Sequence, residues 1–246
     1  MDVLVILVIG FVSSFFGSFV SGGLSMLSLP ALLLFGLPPH IALGTYRLGA
    51  FGYNAGGFLQ YFKNEKIVWK FVLPLSGIAI VAGLLGSTVI IHVDESLLTR
   101  LVGACLLLLV PIVFFKPDLG LISKEVGKKS HIIGYFMFGL ASLYGASIAT
   151  GQGIFIVYSI MYFFGLPLLN SIATAKIPSA LTSIAVLTVF GVNGLIHWQY
   201  ALILFIGMVA GSYIGTHYAI KLGNKWLRNI LLTVIILLAL KLIFGF

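Results

Sequence analysis

Ten apolar stretches separated by short polar breaks make up almost the whole chain: residues 2–20, 24–35, 40–61, 68–92 and 97–115, then 131–149, 153–164, 171–191, 198–220 and 226–245. Segments of this kind belong in lipid, where backbone N–H and C=O groups must be satisfied without water. Helices of about 20 residues meet that demand across a core of roughly 30 Å. Only 8% of residues are charged, against roughly 25% in soluble domains, and the mean hydropathy is +1.17. The expectation is an all-α, multi-pass integral membrane protein with no separate soluble domain. The first segment lacks a basic leader and is expected to be a retained helix. The formal net charge of +8 is spread over the polar breaks, so it reads as a topology signal and not as a nucleic-acid surface. The single cysteine, Cys105, excludes a disulfide framework and a thiol metal site.

The sequence repeats itself. An ungapped shift of 129 positions pairs Ser18 with Ser147, Gly22 with Gly151 and the run 35–38 (FGLP) with 164–167 (FGLP). The same shift pairs Thr45 with Thr174, Asn64 with Asn193, Trp69 with Trp198 and Gly86 with Gly215. The chain therefore divides into a first membrane repeat, 1–115, a polar linker, 116–130, and a second repeat, 131–246.

Five segments per repeat invert the second copy relative to the first, provided that the short second segment returns to the face where the first began. Basic residues test this independently. Lys63, Lys66 and Lys70 share one break, Lys116, Lys124, Lys128 and Lys129 the linker, and Lys221, Lys225 and Arg228 a third. All three come out on the cytoplasmic side together. Asp94 and Glu95, and the charge-free stretch 191–198 (GVNGLIHW), fall outside, as do both termini. Two inverted-topology repeats are an architecture of secondary transporters.

The short segments, 24–35 and 153–164, would reach about 18 Å as helices, a little over half the hydrocarbon core. Each follows a glycine-containing break: Ser21, Gly22 and Gly23 in one copy, Thr150, Gly151, Gln152 and Gly153 in the other. Each pair of segments thus reads as a re-entrant hairpin with its tip inside the membrane. Glycine lets backbone amides approach a ligand, and a helix N-terminus favours an anion. Close helix packing is the alternative use of the same glycines.

Arg47 lies about seven residues, roughly 10 Å, inside its segment, and Lys176 holds the matching place in the second copy. A cation at that depth is unfavourable by a few kcal/mol unless it meets a partner or a cavity. Snorkelling to the interface is one way out. An anionic ligand is the other, because all six acidic residues, Asp2, Glu65, Asp94, Glu95, Asp118 and Glu125, fall in a terminus or break. Thr45 and Thr174, two residues before each cation, offer hydroxyl donors to the same surface or bond back to their own helices.

These motifs resemble the sulfite exporter TauE/SafE family of membrane permeases over nearly the whole chain. The stretch 21–50, SGGLSMLSLPALLLFGLPPHIALGTYRLGA, is similar to the family's first-half signature, and 67–87 fits its aromatic re-entry and glycine-rich helix. The second half departs from the family pattern, with Gln152 and Ser159 where a glycine triplet and a proline often stand. The resemblance implies transport of sulfite, sulfonates or related sulfur-containing anions across a prokaryotic cytoplasmic membrane.

The expected partners are therefore a small anionic substrate, membrane lipid and a coupling proton or other ion. A passive anion channel or a non-catalytic membrane subunit is the competing reading. No intramembrane acid, His pair or nucleophile constellation supports an enzyme. No metal spacing or nucleotide-binding motif calls for a cofactor. Elsewhere, Gly207, Gly211 and Gly215 read as a packing face, and Trp69, Trp198 and Trp226 as interfacial anchors. Asn54 and Gln60 suit either the cavity or interhelical bonding.

If the repeats are inverted, cysteines introduced singly at Lys66, Ser123 and Lys225 are labelled from the cytoplasmic side, and those at Asp94 and Asn193 from outside. Labelling of Lys66 and Lys225 from opposite sides contradicts the inversion.

Overall fold

The computed structural model describes residues 2–20, 24–94, 123, 125–149 and 151–244. Among them the regular structure is entirely helical, in eight elements: α1 (Asp2–Val20), α2 (Leu24–Leu34), α3 (Pro39–Lys63), α4 (Trp69–Ile90), α5 (Lys128–Ile148), α6 (Gln152–Phe164), α7 (Leu168–Val192) and α8 (Trp198–Phe244). Observed ends of α1 to α7 fall within three residues of the expected segments. The segments expected at 198–220 and 226–245 run together as α8, broken only at Gly223, whose φ of 77° and ψ of 175° are non-helical. A glycine bends the chain there without a loop. The segment expected at 97–115, with Cys105, lies outside the described residues, as do 116–122, Lys124 and the tip residues Ser21, Gly22, Gly23 and Thr150.

The repeated FGLP run is a joint. Gly36 (φ 81°) and Gly165 (φ 69°) take the left-handed conformation just after α2 and α6, where a side chain would be strained. Pro38 and Pro167 follow with extended ψ angles of 146° and 158°, and their carbonyls accept the first bonds of the next helices, from Ala42 at 2.8 Å and Ser171 at 2.9 Å. The far ends match too. Asn64 and Asn193 cap α3 and α7, each Nδ2 donating 2.8 Å to the carbonyl four residues back.

α1 packs along α8 and α5 along α4, while α3 lies against α8 and α7. The first helix of each sequence half is thus seated on the fourth segment of the other. Glycine makes the α1–α8 seam close: a Cβ on Gly207 or Gly211 would collide with the carbonyls of Leu7 or Phe11, and one on Gly215 would stand 2.5 Å from the carbonyl of Phe15. α4, α5, α7 and the Trp198–Leu227 part of α8 are each long and apolar enough to cross a membrane. Large apolar side chains such as Leu73, Phe136 and Val192 remain exposed, as on a surface facing lipid.

α3 is different. It carries Arg47, Asn54 and Gln60, and 16 of its 25 residues are buried. Protein surrounds this helix, which is how it tolerates polar groups that lipid would not.

Gly211→Ala is expected to destabilise the protein by about 1–3 kcal/mol, because a backbone carbonyl blocks the new methyl. Gly77, exposed on α4 with nothing within 4 Å of its Cβ position, is the control. Gly77→Ala is expected to be neutral or stabilising by up to about 1 kcal/mol. Thermal unfolding in detergent measures both.

Candidate functional site

Arg47 is fully buried, with 0% of its surface exposed, and Lys176 retains 3%. Neither side chain snorkels to an interface.

The surroundings of Arg47 are the break between α5 and α6. One terminal nitrogen, Nη2, donates to the carbonyl of Ala146 at 2.7 Å and to that of Gly145. The other, Nη1, donates to Gln152 Oε1 at 3.2 Å. Gly145 and Ala146 belong to the last turn of α5, where carbonyls carry partial negative charge; that of Gly145 also accepts from the Ala149 amide at 3.0 Å. Backbone carbonyls therefore compensate this cation where no carboxylate does. The Nε–H group is buried and has no hydrogen-bond partner among the described residues.

The break itself is strained. Ala149 has φ 64° and ψ −35°, a region that a residue with a Cβ rarely occupies, at a cost of about 1–3 kcal/mol. Gly151 follows at φ 71° and ψ 2°, which glycine accepts freely, and no side chain caps the start of α6. The fold thus brings Arg47, Gly151 and Gln152 together. Gly153 sits in the first turn of α6.

Lys176, on α7, meets α3 at another level. Its Nζ lies 3.4 Å from the centroid of the Tyr53 ring, a cation–π contact. A Cβ on Gly57 would stand 2.8 Å from its Cε and 2.9 Å from its Nζ, so the missing side chain is what makes room for the amine. Tyr53 and Gly57 share a face of α3 one turn apart. The Tyr53 hydroxyl donates 3.1 Å to the carbonyl of Gly17 near the end of α1, and its own carbonyl accepts from Ser212 Oγ at 2.7 Å. Arg47 is six residues from Tyr53, about 9 Å along the helix axis. The two cations thus attach at different levels of one helix. Through Arg47 and Tyr53 that helix holds the carbonyls of Ala146 and Gly17, which are themselves 129 positions apart.

The two threonines are engaged with backbone. Thr45 Oγ1 accepts from the amide of His197 at 3.0 Å and Thr174 Oγ1 from that of Val68 at 3.1 Å, immediately before α8 and α4 begin. Thr174 also bonds back to Asn170 at 2.6 Å. Asn54 bonds back to Ala50 at 2.9 Å. Among the described residues no three His, Cys, Asp or Glu side chains gather as metal ligands.

A sequence profile described as sulfite exporter TauE/SafE matches residues 6–242. The chain belongs to the TauE/SafE family. Its membership places it among membrane transporters. It is 25% identical to the "probable membrane transporter protein ORF9" of a Sinorhizobium species over 95% of this chain and 90% of that one. A probable membrane transporter protein of Haemophilus influenzae is 24% identical over 99% of this chain and 95% of its own length. The probable membrane transporter protein YfcA of Escherichia coli is 22% identical over 96% and 86%. No solved structure matches the chain.

In this TauE/SafE chain, Tyr53, Gly57 and the carbonyls of Gly145 and Ala146 are the groups that sequence reading passed over. The only available signal was that Tyr53 and Gly57 lie on the helix of Arg47 at helical spacing.

Arg47→Lys keeps the charge but loses the planar fork that spans two carbonyls and Gln152. Loss of one such charge-assisted bond is expected to destabilise the protein by about 1.5–3 kcal/mol. Thermal unfolding in detergent, compared with the parent, measures it.

Proposed function

We propose that this protein is a secondary transporter that moves small anions, namely sulfite, sulfonates or related sulfur-containing organic anions, across the cytoplasmic membrane by alternating access. One observation carries the reading. Two buried cations hold equivalent places in the duplicated sequence, and no Asp or Glu occurs on α3 to α8. The Nε–H of Arg47 has no hydrogen-bond partner among the described residues, and no side-chain cap bond closes the start of α6 beside it. An anion entering there gains a charge-assisted bond and the favourable end of a helix dipole. The relatives named as probable membrane transporters, together with the family description, support the class of activity.

In this reading residues 1–115 and 131–246 are two inverted-topology repeats joined by a cytoplasmic linker, 116–130, with both termini outside. The equivalent bonds from Thr45 to the start of α8 and from Thr174 to the start of α4 support it. So do the matched glycine–proline joints. The substrate surface is Arg47, Lys176 and the two tips, formed by Ser21, Gly22 and Gly23 and by Thr150, Gly151, Gln152 and Gly153, with Thr45 and Thr174 fixing its edges. Rocking of one repeat against the other around this surface opens it to each side in turn.

Anion affinity is expected to fall about tenfold to a hundredfold in Arg47→Gln and in Lys176→Gln, the equivalent of one lost charge-assisted bond. Binding of sulfite and methanesulfonate to purified protein, matched for folding, gives the affinities, and uptake into proteoliposomes gives the flux. Parent-like affinity in both variants refutes the assignment of the two cations to the substrate.

A further inference from the structure

Arg47 and Lys176 share a place in the repeated sequence but not a chemical environment. Arg47 is bonded to two carbonyls and an amide oxygen. Lys176 Nζ has the face of Tyr53, a gap opened by Gly57 and, beside that gap, the hydroxyl of Ser212. Tyr53 on α3 is the titratable side chain against Nζ. Arg47 is the further charged group on that helix's buried face, about 9 Å from Tyr53 along the axis. None of the helices packed on α7 carries an Asp or a Glu.

The two side chains also differ in what they can do with a proton. A guanidinium keeps its charge in proteins, whereas an amine exchanges a proton with water. An ammonium has three donors, and a ring face offsets only part of what its burial costs. Two events remove that cost: an anion settles beside the ammonium, or the proton leaves.

We propose that Lys176 carries the coupling proton of the transport cycle, so that each monovalent anion crosses together with one proton. The inference rests on the anion-transport reading above. On the side from which the anion enters, the neutral Nζ amine takes a proton from water and becomes the ammonium. The anion then binds beside it. After the repeats reorient, the anion leaves and Nζ returns its proton to water on the far side, so the unloaded carrier goes back as the neutral amine. No net charge crosses with a monovalent anion. Arg47 stays charged throughout and holds the α5–α6 break.

Methanesulfonate is the probe, because it remains a monovalent anion over the working pH range and cannot itself carry the proton. Proteoliposomes holding the full chain are clamped at zero membrane potential. An outside-acid gradient of one pH unit is then expected to drive about tenfold accumulation, and lumenal pyranine to report one proton entering per anion. In Lys176→Arg, whose charge cannot be shed, accumulation falls toward unity while exchange of labelled for unlabelled methanesulfonate continues at a lower rate. If that variant exchanges nothing, Lys176→Gln decides: anion entry without lumenal acidification supports the inference, and parent-like acidification overturns it. Parent uptake that follows voltage and ignores the pH gradient, or Lys176→Arg accumulation equal to the parent's, also overturns the inference but leaves the anion reading standing. A parent that exchanges neither methanesulfonate nor sulfite overturns the anion reading, and the inference with it.

Discussion

α5 ends within the protein, where the buried carbonyl of Ala146 is out of reach of water, and Arg47 supplies its donor. Everything around the break follows from that bond. α3 must be sheathed in protein, because its guanidinium has to reach inward instead of into lipid. The strained turn at Ala149 persists because α5 is pinned at one end and Gln152 is held at the other. The glycines of α3 let neighbouring helices close on it, as where a Cβ on Gly56 would stand 2.5 Å from the carbonyl of Val209. A polar helix at the centre and apolar helices around it are thus two sides of one constraint.

Duplication allows two solutions to one problem to be compared within a single chain. At Ala146 the acceptor is met by a charged side chain, and at Gly17, its counterpart in the repeat, by the phenol of Tyr53. The lysine equivalent to Arg47 is consequently spared the task of capping a helix end. It lies on the ring of that same tyrosine. The two cations thus meet their neighbours by different chemistry, one through carbonyls and the other through a ring.

Much of this was legible beforehand, for identifiable reasons. Apolar runs ended by glycine and proline marked α1 to α7 closely, because those residues set φ or remove a donor wherever they stand. The four-residue spacing of Gly207, Gly211 and Gly215 predicted a close seam, and α1 occupies it. The partners were not legible. Arg47 binds carbonyls, which every residue possesses, so no letter in the sequence marks the acceptor. Tyr53 reads as one more core aromatic until the lysine is seen above its ring. Thr45 and Thr174 were expected to face the cations' surface or to bond back to their own helices; Thr174 does bond back, to Asn170, and both oxygens accept from amides 152 and 106 positions away, a pairing that only the fold reveals.

The seating of α1 on α8 has a consequence for how the protein is made. Leu7 and Gly207 meet across the seam, two hundred residues apart. At roughly 5–20 residues per second, a ribosome needs on the order of 10–40 s to deliver the second after the first. During that interval α1 waits without its partner across the seam, its backbone satisfied within itself and its glycine-shaped groove still unmade. The earliest helix to emerge is among the last to find its place, and biogenesis of the amino-terminal half stays incomplete until the carboxy-terminal half arrives.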